Sequence, residues 1–154
     1  MAKSWQEKLR GPAGLPKQVL LDEAQARRYG AKPGARMLVP APREVYELIE
    51  SIPKGRLVTL DELRRALALR HDADLTCPLT TGIFLRVAAM ASLEINRPIP
   101  YWRVLRANGA VLSKLPNVEE RLRAEGYTLE RQGKALRVIG FQTHLLSAKE
   151  LLGW

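Results

Sequence analysis

The sequence predicts a mainly α-helical chain with small β hairpins, built as a helix-turn-helix variant behind an irregular N-terminal arm. Three observations predict it. An amphipathic run opens at Pro42, a capped run follows from Thr59, and a longer apolar run extends over residues 80–94. Short strand candidates separated by turn signals come only after these helices.

Residues 1–41 mix Gly, Pro and charge ("GPAGLPK", "YGAKPGARMLVPAP") around one short helical candidate, Leu21 to Tyr29, which reads as an arm around a core. The body, 42–154, opens with "PREVYELIESIPKG". Pro42 suits a first helical position, Val45, Leu48, Ile49 and Ile52 form one stripe, and Pro53 and Gly55 end it. In "TLDELRRALALRH", Thr59 and Glu62 have capping-box spacing, with Leu60, Leu63 and Leu67 apolar. After "DADLTCP", the third helix starts from Thr80 or Thr81 and buries Ile83, Phe84, Val87 and Met90. Its opposite face carries Gly82, Leu85, Arg86 and Ala89, mostly small, so its axis can approach another surface closely. The connector before it exceeds the three or four residues usual in helix-turn-helix, hence a variant.

Two short strands about "ANG", a helix "NVEERLRAEG" and a hairpin "YTLERQGKALRVIG" turning at Gln132-Gly133 complete a winged-helix-like arrangement. The 154 residues suit one domain plus an appendage. Lys and Arg number 25 against 16 Asp and Glu, a formal charge of +9, which points to nucleic acid ahead of anionic membrane. No apolar run resembles a signal peptide or a membrane span, so a cytoplasmic protein is expected. A single cysteine, Cys77, excludes an internal disulfide, and His71 and His144 offer no zinc spacing. Neither metal nor cofactor is expected.

The stretch "RPIPYWRVLRANG", 97–109, sets arginines and aromatics among prolines before an Asn-Gly turn. With "VYELIESIPKGRLVTLDEL" and "LRAEGY", it resembles the C-terminal domain of the alkylguanine-DNA alkyltransferases and alkyltransferase-like proteins over roughly residues 42–127. The family motif is Pro-Cys-His-Arg-Val, its cysteine accepting the alkyl group; the alkyltransferase-like branch has tryptophan there and transfers nothing. The resemblance places Pro100 on the motif proline, Tyr101 in the cysteine's slot and Trp102 in the histidine's, while Arg103 and Val104 match. A phenol of pKa near 10 without a histidine base is a poor alkyl acceptor. The family's base-rotating tyrosine falls on Leu60, its stack-filling arginine near Leu79, and its hinge asparagine on Arg106.

The resemblance implies a non-catalytic protein that recognises alkylated or otherwise damaged double-stranded DNA and marks it for other repair proteins. Its expected lesion pocket is Pro100, Tyr101 and Trp102, where an aromatic could stack on an extruded base; core packing is the competing reading, weighed more heavily for Trp102. Expected DNA contacts are Thr81, Gly82, Arg86, Arg97, Arg103, Arg106 and Lys114, against a solvated basic rim. Cys77, before Pro78 at a helix start, is either a displaced alkyl acceptor or a small buried residue, the latter favoured. A winged-helix transcription regulator would read base edges, for which the third helix offers chiefly Arg86. A metal-dependent nuclease would need a carboxylate cluster, and Asp72 with Asp74 makes a weak one.

Overall fold

A computed structural model describes residues 3–154; residues 1 and 2 of the expected arm lie outside it. The order is α1 (Trp5–Arg10), β1 (Lys17–Leu20), α2 (Glu23–Arg28), β2 (Arg36–Val39), α3 (Pro42–Glu50), β3 (Val58–Thr59), α4 (Leu60–Arg70), β4 (Leu75–Thr76) and α5 (Pro78–Glu94). Then follow β5 (Val104–Leu105), α6 (Val118–Ala124), β6 (Leu129–Gln132), β7 (Ala135–Val138) and α7 (Ala148–Leu152), with 3-10 turns at Tyr101–Arg103 and Phe141–His144. The predicted class, mainly helical with small β elements, is what forms.

Local chemistry explains where the helices begin. Pro42 opens α3, whose Glu44 carboxylate accepts from the Ala41 N–H at 3.1 Å, and Val45, Leu48 and Ile49 are buried as the stripe predicts. The Thr59 hydroxyl accepts from the Glu62 N–H at 3.3 Å, but the expected capping box is only half made. The Glu62 carboxylate accepts instead from the Ala148 N–H at 2.7 Å, fastening the start of α7 to α4. Helix α5 begins at Pro78, before the expected threonine caps, because proline supplies the first helical φ without needing an N–H partner. Ile83, expected in the core, is exposed, while Leu85 and Ala89, expected on an open face, are buried. Helix α5 is apolar almost all round and packs against both α1 and α3, so periodicity could not single out its free side.

The sheets depart further from expectation. The segments about the Asn-Gly turn do not pair as a hairpin of strands: β5 runs parallel to β3, Val58 opposite Val104 and Thr59 opposite Leu105. Beyond the turn, the backbone makes only isolated bridges, Leu105 with Val111 and Ala110 with Arg137. Gly109 holds a φ of +85° with the Phe141 ring 2.4 Å from where a Cβ would sit, so the turn tolerates no side chain there. The β6–β7 hairpin forms with Gln132 opposite Ala135, setting Gly133-Lys134 in the turn, one residue later than predicted. Gly133 takes the positive φ, +61°, that a two-residue turn requires.

The described part of the N-terminal stretch is not irregular. Ser4 and Asp22 cap α1 and α2 through their side chains, a signal that the Gly and Pro content masks in the sequence. Strands β1 and β2 pair antiparallel, and β2 pairs parallel with β4, Met37 opposite Leu75 and Leu38 opposite Thr76. That pairing accounts for the long connector between α4 and α5, since it contains a strand. Helix α1 lies on α5, with Leu9 buried against Val87 and Ala91 and the Glu94 carboxylate accepting from the Trp5 and Gln6 N–H groups, each at 3.0 Å. No helix among the described residues is long and apolar enough to cross a membrane.

Candidate nucleic-acid interface

Where α5 leaves the core, Leu79, Gly82, Ile83 and Arg86 form one exposed stripe along its N-terminal half. Nothing lies within 4 Å of the position a Gly82 Cβ would take, so the backbone is open to close approach there. Beside this stripe runs a groove of about 390 Å³. Gly82 and Arg86 from α5, Arg106 and Lys114 from the loop after β5, and Arg64 from α4 line it, over a floor of Leu60, Leu85, Leu112 and Leu115. The fold therefore assembles four of the expected contact residues, distant in sequence, around one concavity. Among the described residues, Arg86, Arg106 and Lys114 have no carboxylate partner. Sequence reasoning missed Arg64, whose charge is shared with Asp61 one turn away. Its position on the helix preceding α5 was the available signal.

Other expected contact residues are employed inside the protein. Thr81 is buried, and its hydroxyl donates to the Cys77 carbonyl at 2.7 Å, securing the first turn of α5. Arg103 is almost wholly covered: its Nε donates to both Glu125 oxygens at 3.0 and 3.2 Å, and its Nη1 donates to the Ile52 carbonyl at 2.6 Å. It ties the 3-10 turn to α6 and to the end of α3 and has no free donor fork for phosphate. Burial pushes the Glu125 carboxyl up, but the bonds from Arg103 outweigh it and hold that carboxyl below its ordinary value. Arg97 is exposed beyond the C-terminal end of α5. That helix, 17 residues long, spans roughly 25 Å, so Arg97 stands far from Gly82.

The expected lesion pocket is likewise redistributed. Tyr101 is fully buried, its hydroxyl donating to the Pro116 carbonyl at 2.6 Å and its ring set edge-to-face against Trp102 at 5.2 Å. Burial raises its phenol above the usual 10.0, with Arg121 opposing, so it stays protonated at neutral pH. Trp102 is buried too, with the guanidinium of Arg121 4.8 Å above its ring, and Pro100 is half-buried at the start of the 3-10 turn. These residues pack the core beneath the loop and do not line the groove. The groove's apolar floor comes instead from half-buried Leu60, where the resemblance places the family's tyrosine, above the buried Leu85, Leu112 and Leu115. Cys77 is buried with Leu21, Ala26 and Met37 in a separate apolar cluster.

Chemically, the groove presents cations over an apolar floor, and no carboxylate, imidazole or thiol lines it. It can bind polyanions and apolar or aromatic surface; its lining holds no general base. No protein-family model and no curated protein matches the chain. Solved structures do match in fold. They are two crystal structures of S. pombe Atl1, one in complex with damaged DNA containing O6-carboxymethylguanine and one in complex with DNA. Each has a TM-score of 0.52 at 16% identity, over 69% of this chain and 94% of the other.

Proposed function

We propose that this chain is a cytoplasmic alkyltransferase-like protein that binds duplex DNA at alkylated or otherwise damaged bases, transfers no alkyl group, and marks the site for other repair proteins. The observation that carries this reading is the groove where Gly82, Arg86, Arg106 and Lys114 converge over an apolar floor. Cations without carboxylate partners are free to displace counterions from the phosphate backbone, the salt-dependent source of affinity. The open backbone at Gly82, flanked by exposed Leu79 and Ile83, lets α5 lie close against a DNA groove and offer apolar contact to base steps. An extruded base then finds the leucine floor, where contact with a flat apolar surface substitutes for the stack it left.

The surroundings of the two candidate alkyl acceptors support a reading without transfer. The Tyr101 oxygen is buried, raised in pKa and committed to Pro116, while the Cys77 thiol is enclosed in its own apolar cluster. A sequence-reading regulator is less well served, because the exposed stripe of α5 contains no Asn or Gln to pair with base edges.

Titration with matched duplexes, one carrying a single O6-alkylated guanine, tests the proposal. Tighter binding to the alkylated duplex is expected, with affinity falling steeply as salt rises and no radiolabelled alkyl group retained on the protein. Equal affinity for the two duplexes would refute lesion recognition. Stoichiometric label that Cys77→Ser abolishes would establish a single-turnover transferase instead.

A further inference from the structure

A second groove, of about 550 Å³, lies on the other flank of α5, between it and α1. Lys3, Trp5 and Lys8 line it from the N-terminal segment, Ile83 and Arg86 from α5. Arg86 lines both grooves, so the exposed stripe of α5 is a ridge between two basic channels. The Trp5 ring gathers charge there, with the Lys8 ammonium 4.2 Å and the Arg86 guanidinium 5.8 Å from its centre. Glu7, the acidic side chain in this lining, accepts from the Ser4 hydroxyl at 3.3 Å, and the channel stays net positive.

Helix α1 is firmly mounted for such a role. Glu94 receives its first N–H groups, the Gln6 amide donates to the Ala91 carbonyl at 2.7 Å, and Leu9 is buried. An α-helix with its side chains is about 10–12 Å wide. Seated in a duplex groove, it has a phosphate wall on each side. A helix meeting DNA along its ridge therefore uses cations on both flanks.

We propose that α1 supplies the second flank of the DNA-binding face: with α5 seated in a duplex groove, Lys3 and Lys8 contact the phosphates of one strand while Arg106 and Lys114 contact those of the other. This rests on the DNA-binding reading above and extends it to a segment outside the recognition helices.

The test compares the full chain with two double variants, K3Q/K8Q and R106Q/K114Q, each titrated with undamaged and O6-alkylated duplex at several salt concentrations. All four side chains are exposed, so circular dichroism melts should superimpose on the parent. Each lost phosphate contact reduces the slope of log affinity against log salt by about 0.9. Each double variant should therefore show a slope shallower by about two, and K3Q/K8Q should weaken both duplexes by the same factor. If K3Q/K8Q keeps the parental slope and affinity while R106Q/K114Q does not, the α1 proposal is overturned and the first groove stands. If neither double variant changes the slope, both readings fall.

Discussion

Arg103 and Arg106 are three residues apart, on either side of β5, and the structure gives them opposite surroundings. Arg103 is about 11% exposed, and its Nε and Nη1 donate to Glu125 and to the Ile52 carbonyl. Arg103→Ala strips a covered carboxylate of its counter-charge and a carbonyl of its donor. Charged hydrogen bonds of this kind contribute about 1.5–3 kcal/mol, and an orphaned buried charge costs more, so a loss of roughly 3 kcal/mol is expected. For a chain of this size each kcal/mol shifts the melting midpoint by about 2–4 °C, which gives a drop of about 6–12 °C. Arg106→Ala removes an exposed cation without an ion-pair partner, and should leave the midpoint within about 2 °C of the parent. Thermal melts by circular dichroism, read beside duplex titrations below both midpoints, separate the two. If Arg103→Ala melts like the parent and instead loses DNA affinity with a shallower salt slope, the assignment of Arg103 to the core is wrong.

Two further outcomes are expected. Glu125 has a folded pKa below its ordinary 4.5, so the folded state binds fewer protons than the unfolded chain; its stabilising contribution is complete above that value and is lost as pH falls through the lowered one. Urea midpoints followed from about pH 6 to about pH 3 should therefore fall more steeply for the parent than for Glu125→Gln, and parallel curves would remove the ion pair from the account. Tyr101→Phe leaves the Pro116 carbonyl without its donor at a cost of about 1 kcal/mol, with the ratio of affinities for alkylated and undamaged duplex unchanged. A reduced ratio in the folded variant would return Tyr101 to the binding surface.

How much was legible depended on whether a signal was local. The Pro42 start and apolar stripe of α3, the Thr59 cap of α4 and the β6–β7 hairpin could be read because capping and periodicity act within a few residues. The two-residue strands β3 and β5 could not, since their parallel pairing joins segments far apart in the chain. Ile83 was misplaced because α5 is buried against neighbours on two sides. At the candidate site, motif position singled out the loop of residues 97–109 but not which way its residues face. Tyr101 and Arg103 turn inward to Pro116 and Glu125, while Arg106 and Lys114 turn outward, a choice made by acceptors on α6 and the segment before it.

The parallel pairing of β2 with β4 bears on portability. The strand that feeds α5 is stitched across its length: the Asp74 N–H donates to the Arg36 carbonyl at 2.9 Å and the Cys77 N–H to the Leu38 carbonyl at 2.8 Å. Cys77 is also the residue from which α5 departs. Lifted out alone, residues 42–127 would carry the recognition helices but leave these donors facing water or nothing, and the sulfur side of the junction stripped of Leu21, Ala26 and Met37. The first turn of α5, which bears Leu79 and leads to Gly82, would then lose the splint that sets its angle. A transplant of this proposed DNA-binding surface onto another scaffold has to carry residues 17–39 with it, or design a substitute strand in their place.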